Sequence, residues 1–114
     1  MKLPPTAVIA DEKVRDYRLR PRREDDKSAF FARAGYRRQE WLRLADDLRQ
    51  QILPLDGQVS RSSVYGDYYS VIGPLTGPNG TILYVETIWL VERDSQAVRF
   101  ITAYPAGGLR EIPR

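Results

Sequence analysis

The residues of this chain that could do chemistry are carboxylates, hydroxyls and basic groups, because the sequence contains neither histidine nor cysteine. Histidine-activated nucleophiles, thiolate chemistry and histidine-ligated zinc are therefore excluded. Glu86 is the one charged residue in the apolar run of residues 81–91. A carboxylate there is costly unless it is solvated or paired, so we expect its face of the strand to be at least partly open. Glu86 could act as a general base, or it could form an ion pair with Arg61 or Arg99.

Four further residues could have a functional role, and each also has a purely structural interpretation. Thr87 and Thr102 lie in apolar strand-like runs, where a threonine hydroxyl often bonds only to the backbone. Tyr104 precedes Pro105, and its ring could cap the core or present its hydroxyl to a phosphate. Lys27 falls at the start of a predicted helix, where a cation opposes the helix dipole. It could equally be the partner in a surface ion pair.

A group of aromatic and basic residues could stack on nucleobases or could simply form a strand; it consists of Arg61, Tyr65, Tyr68 and Tyr69. The carboxylates lack the spacing of a metal-binding loop, and GPLTGPNG at residues 73–80 is a hairpin pattern, not a phosphate-binding loop. We therefore predict neither a metal nor a cofactor. Residues 1–56 carry 13 of the 18 lysines and arginines, with a dense cluster over residues 15–23. This cluster could contact phosphates, or it could be a solvated helix end with local counter-charges.

Length and composition limit the class of protein. A chain of 114 residues forms one domain with one core, and 42% hydrophobic with 29% charged residues is typical of globular proteins. No apolar run reaches the roughly 18 residues that span a bilayer, and the N-terminus lacks the apolar segment of a signal peptide. The absence of cysteine suits a reducing compartment. We therefore expect a cytoplasmic protein without a membrane partner.

The hydrophobic period changes from 3.6 to 2 near residue 57, which divides the single predicted domain of residues 1–114. We expect a lead-in over residues 1–8, a helical part over 9–54, an antiparallel sheet over 57–105 and a tail over 106–114. Helices are predicted over residues 11–19, 27–34 and 37–53. Gly35 ends the second helix, and an apolar stripe from Trp41 to Ile52 marks the third.

Strands are predicted over residues 58–63, 68–75, 81–91 and 98–104. Asn79 and Gly80 are expected to supply the positive φ angles of the hairpin between the second and third strands. The fold class is therefore α+β, with two to three N-terminal helices packed on one face of a four-stranded antiparallel sheet.

Several short motifs occur in a characteristic order: MKLP at the start, KxxFF and GY within residues 27–36, GPLTGPNG, TIWLV at 87–91 and ITAYP at 101–105. This arrangement resembles a bacterial family of small proteins that also occur as C-terminal domains of polymorphic toxins. That family is similar, in its helix-then-sheet layout, to the barnase–EndoU–colicin–RelE group of metal-free ribonucleases.

The resemblance implies a metal-independent endoribonuclease toxin that cleaves RNA by attack of a ribose 2′-hydroxyl on the adjacent phosphate. Lys27 would stabilise charge or act as the base, Glu86 is the alternative base, and Tyr104 is the candidate acid. Thr102 and Tyr104 would orient the phosphate. The implied substrate-binding residues are Arg61, Tyr69, Thr87 and Arg99. The implied partners are an RNA, such as tRNA or mRNA, and a cognate antitoxin or immunity protein.

A non-catalytic interaction module is the alternative interpretation. Such a protein, an inhibitor or an accessory factor, would bind its partner through the surface or the edge of the sheet. The two interpretations differ in their effect on growth, because a toxin arrests cells that lack its antitoxin and a binding module does not. A small-molecule enzyme is a third class, for which the sequence offers no convergent pocket chemistry.

Overall fold

A computed structural model describes residues 3–4, 6–9 and 27–106. The fold is α+β, as predicted. Its helical elements are short: α1 (Lys27–Ala32), a 3₁₀ turn (Arg38–Glu40), α2 (Trp41–Asp47) and a π-helical turn (Leu48–Ile52). The strands are β1 (Gln58–Ser63), β2 (Gly66–Thr76), β3 (Ile82–Glu92) and β4 (Val98–Pro105). The predicted helix over residues 11–19, the basic cluster around it and residues 107–114 of the predicted tail lie outside the described residues.

The four strands form one antiparallel sheet in the order β1-β2-β3-β4, so each strand pairs with its neighbour in the chain. This confirms the predicted sheet, and the bounds of β1 are those expected from the sequence. One face, which we call the inner face, packs into the core through Val71, Val85 and Trp89 together with Phe31 and Leu44 of the helical part. We call the opposite face the outer face.

The hairpin between β2 and β3 holds the end of α1. Gly35 has a φ of +97°, which confirms that a glycine in the left-handed region ends this helix. The backbone N–H of Asn79 donates to the Ala34 carbonyl (3.2 Å), and its Nδ2 donates to the Arg33 carbonyl (3.1 Å). The expectation of a positive φ at Asn79 is wrong. Within this fully described connection Gly80 alone has one, and Asn79 instead binds the carbonyls of the turn that follows α1.

The predicted helix over residues 37–53 is a succession of three helical types and not one regular α-helix. The 3₁₀ turn leads into α2, and the π-helical turn follows, where the Leu53 N–H donates to the Leu48 carbonyl at 2.9 Å. This i→i+5 bond widens the turn. The widened turn accompanies complete or nearly complete burial of Leu48, Ile52 and Leu53, three residues that a regular stripe would not all place inward.

A buried polar network joins α2 to the loop that precedes it. The apolar stripe from Trp41 to Ile52 predicts that Asp47 faces solvent on the other side of the helix. Asp47 is instead buried, so this prediction is wrong. The Tyr36 hydroxyl donates to Asp47 Oδ2 at 2.5 Å, and Arg43 Nε donates to the same oxygen at 2.9 Å. Burial is the main reason that the pKa of Tyr36 is raised above its usual value, and the hydrogen bond to Asp47 raises it further. The network satisfies a carboxylate that would otherwise be costly to bury.

The N-terminal lead-in is part of the fold. Val8 forms a parallel bridge with Arg99, in which the Val8 N–H donates to the Val98 carbonyl and the Phe100 N–H donates to the Val8 carbonyl, both at 2.8 Å. Arg49 Nη1 donates to the Ala7 carbonyl at 2.7 Å. The lead-in therefore covers the first half of the free edge of β4. None of the helices in the described part of the chain has the length and apolar character needed to cross a membrane.

Candidate active site on the outer face of the sheet

Three rows of residues cross the outer face, as fixed by the strand register. The first row contains Arg61, Tyr68, Leu90 and Arg99, the second Ser70, Ile88 and Thr102, and the third Ile72, Glu86 and Tyr104. Neighbouring rows are two residues apart along a strand, or roughly 7 Å. Five of the predicted site residues therefore share one face: Arg61, Glu86, Arg99, Thr102 and Tyr104.

Two β-bulges bring these residues to the same face. In β4 the register shifts opposite Ile88 and Trp89, so that Ile101 is an extra residue and Thr102 follows Arg99 onto the outer face. In β1 the register shifts between Val59 and Arg61. Strict alternation would have placed Thr102 on the face opposite Arg99, and Arg61 on the inner face with Val59. Bulges re-aim side chains in this way and are frequent beside active sites.

Glu86 and Tyr104 form the centre of this face. They are directly opposed in the β3–β4 register, where side chains lie roughly 5 Å apart at Cβ. The Ser70 hydroxyl donates to Glu86 Oε2 at 2.6 Å, which fixes the carboxylate on one side. Burial, and to a smaller extent the negative charge of Glu86, raise the pKa of Tyr104. A carboxylate that can accept a proton thus lies beside a phenol that retains one.

The two arginines of the first row have partners other than Glu86. Arg99 Nε donates to Glu92 Oε2, and the Ser95 hydroxyl donates to the other Glu92 oxygen at 2.8 Å. The bond from Arg99 lowers the pKa of Glu92 most, and the bond from Ser95 lowers it further. Arg61 lies over the ring of Tyr68, with 4.6 Å from Cζ to the ring centroid. The structural interpretation in which Glu86 is the ion-pair partner of either arginine is therefore wrong.

Comparison with known proteins identifies the domain. A family model described as a domain of unknown function, DUF6883, matches residues 2–107. The chain belongs to this family. The comparison with curated proteins finds no match, and the comparison with solved structures finds none. The match to the family model includes the whole sheet, so the outer face and its three rows lie within the family's domain.

Two predicted site residues do not join the outer face, and the side chain of a third is not described. Thr87 is completely buried on the inner face, where its hydroxyl donates to the Val71 carbonyl (3.0 Å) and accepts from Trp89 Nε1 (2.7 Å). Tyr69 is half-buried and packs against the core. Lys27 is the first residue of α1, and its side chain lies outside the part that the structure describes.

Ser70 is the contact of Glu86 that sequence reasoning missed. The sequence indicates part of this contact, because alternation along β2 places Ser70 on the same face as Tyr68 and Ile72. What was missing was the register between β2 and β3, which depends on how many residues the GPLTGPNG turn uses. Among the described residues, no three Asp, Glu, His or Cys side chains come together as a possible metal site.

Proposed function

We propose that this chain is a metal-independent endoribonuclease of the toxin type, with its active site on the outer face of the sheet. The observation that carries the proposal is the opposed pair of Glu86 and Tyr104, one suited to accept a proton and the other to give one. The bulge in β4 supports it further, because that irregularity aligns Thr102 and Tyr104 with Arg99.

The proposed reaction needs two proton transfers. Glu86 takes the proton of a ribose 2′-hydroxyl, and the 2′-oxygen forms a bond to the adjacent phosphorus. The bond from phosphorus to the 5′-oxygen breaks, and Tyr104 donates its proton to that leaving oxygen. The products are a 2′,3′-cyclic phosphate and a 5′-hydroxyl. The raised pKa of Tyr104 suits this role, since it keeps the phenol protonated at neutral pH.

Neighbouring groups would stabilise the charge that develops on the phosphate. Thr102 lies one row away from the central pair and can donate its hydroxyl to a phosphate oxygen. Arg99 lies two rows away and its Nε is bonded to Glu92, so it would meet a phosphate only after releasing that carboxylate. Lys27, at the start of α1, remains the candidate for a direct charge on the reacting phosphate, as the resemblance implies.

The first experiment incubates the purified protein with total bacterial RNA in the presence of EDTA. We expect discrete fragments from the wild type and intact RNA from Glu86→Gln. Asp94→Asn is the matched control, because Asp94 is an exposed carboxylate in the turn between β3 and β4. Expression without an antitoxin should arrest growth for the wild type and not for Glu86→Gln. Intact RNA with folded wild-type protein contradicts the proposal.

A second candidate function is supported by the edge of the sheet. β1 is an outermost strand of the described sheet, and five of its six residues are exposed. Such an edge can receive a strand from a partner protein. In this case the chain would be a non-catalytic interaction module. Charge-reversing Arg61→Glu would then abolish partner binding, and expression of the wild type would leave growth unchanged.

A further inference from the structure

Two open grooves border the outer face, one on either side of the Glu86–Tyr104 row along the strands, and they differ in charge. The first, which we call the α1 groove, lies between α1 and the start of β3; its lining includes Phe30, Arg33, Ile82, Tyr84 and Pro105. The second, which we call the turn groove, lies beside the β3–β4 turn; its lining includes Tyr65, Tyr68, Glu92, Asp94 and Arg99.

The α1 groove matches the chemistry of a nucleotide. Among its described lining residues there is one cation and no carboxylate. The Arg33 guanidinium lies over the Phe30 ring, with 5.7 Å from Cζ to the centroid, so the cation is at the wall of the groove. Tyr84 is 59% exposed, which is unusual for a large aromatic side chain in a strand. An exposed ring beside a cation offers a stacking surface and a phosphate contact together.

The turn groove is a poor match for a polyanion. Two carboxylates line it, and its arginine is already paired with one of them, Glu92. A phosphate that entered there would be repelled by Asp94, while the positive charge of Arg99 is already neutralised by Glu92. Because the grooves differ in charge, an anionic substrate bound at Glu86 and Tyr104 should extend into the α1 groove and not into the turn groove.

Tyr84 also lies close to the proposed catalytic pair. It lies two residues from Glu86 on β3, on the same face of the sheet, which is roughly 7 Å along the strand. β4 ends at Pro105, opposite Val85, and the N–H of the next residue, Ala106, donates to the Tyr84 carbonyl at 3.0 Å. The backbone of Tyr84 is therefore held by this bond, and its exposed ring lines the α1 groove.

We infer that the α1 groove binds the nucleotide next to the scissile phosphate, with its base stacked on Tyr84 and a phosphate at Arg33, and that the substrate is single-stranded RNA. This rests on the proposed function for the position of the scissile phosphate. The single-stranded state follows from the stacking, because a base in a duplex already has both faces covered by its neighbours.

The test measures binding of a fluorescently labelled single-stranded oligonucleotide in which every ribose is 2′-O-methylated. That substitution removes the attacking hydroxyl, so binding is measured without cleavage. We expect Tyr84→Leu to weaken binding on the order of tenfold, since one stacked base contributes that much. Tyr84→Phe retains the ring and should bind like the wild type. Arg33→Gln should weaken binding and reduce its salt dependence.

The matched control is Tyr65→Leu, because Tyr65 is also exposed, at 71%, but lines the turn groove. It should bind like the wild type, and a duplex of the same sequence should bind more weakly than the single strand. Wild-type affinity in Tyr84→Leu, or equal affinity for the duplex, overturns the inference even if Glu86-dependent cleavage is observed. Tyr84-dependent binding without any cleavage of ordinary RNA supports the groove and overturns the proposed catalysis.

Discussion

The substitution Thr87→Val tests whether the hydroxyl of Thr87 belongs to the core. Valine keeps the shape of the side chain and removes two hydrogen bonds, one to the Val71 carbonyl and one from the Trp89 indole. Each such bond contributes about 1 kcal/mol, and a buried indole N–H left without an acceptor adds to the cost. We therefore expect the free energy of unfolding to fall by about 2–3 kcal/mol.

The assay is urea denaturation followed by tryptophan fluorescence. With a slope of about 2 kcal/mol per molar urea, the midpoint should move down by roughly 1–1.5 M. Thr87→Ser retains the hydroxyl and loses one buried methyl group, so its cost should be only about 1 kcal/mol. Thr76→Val is a control at an exposed position of β2, where the change should stay within about 0.5 kcal/mol. A loss below about 0.5 kcal/mol for Thr87→Val would refute the reasoning.

Three further predictions concern backbone space and pH. Gly66→Ala should prevent soluble expression or lower the free energy of unfolding by more than about 3 kcal/mol in a urea titration, because a Cβ would lie 2.0 Å from the Val91 carbonyl oxygen at a φ of +149°. Tyr36→Phe should cost about 2 kcal/mol at pH 7 through the lost bond to Asp47. The folded-state pKa of Tyr36 is raised, so its contribution is present below pH 10 and is lost as the pH rises further; the two proteins should therefore converge in stability in alkaline urea titrations. If Tyr104 is the general acid, the cleavage rate should not decline between pH 7 and 9, because the pKa of Tyr104 is raised above its usual 10.0; a decline near pH 8 contradicts that role.

The sheet could be predicted from the sequence because its signals are local. Some runs alternate between apolar and polar residues, and others are apolar on both faces of the strand. Each run is bounded by turn residues, and together these patterns locate the strands to within two residues at either end. The position of Glu86 on β3 also indicated correctly that its face is at least partly open, since a carboxylate among apolar residues needs solvent or a partner. These predictions require only the period of a strand and the cost of burying a charge.

The composition of the site could not be predicted, because it depends on two bulges that no local pattern reveals. Parity assigns Arg99 and Thr102 to opposite faces, yet the extra residue Ile101 places them on the same one. The π-helical turn was hidden for the same reason, since its widened hydrogen bond is favoured by the packing of Leu53 and not by its residue type.

The proposed chemistry is tested most directly by an oligonucleotide of deoxyribose that contains ribose at one position only. The substrate is incubated with EDTA and the products are analysed by mass spectrometry. We predict cleavage after the single ribose, a 2′,3′-cyclic phosphate product, and a rate lowered by roughly 10² to 10⁴ in Glu86→Gln, as expected when a general base is removed. Cleavage of the all-deoxyribose strand, or an unchanged rate in folded Glu86→Gln, would contradict the account.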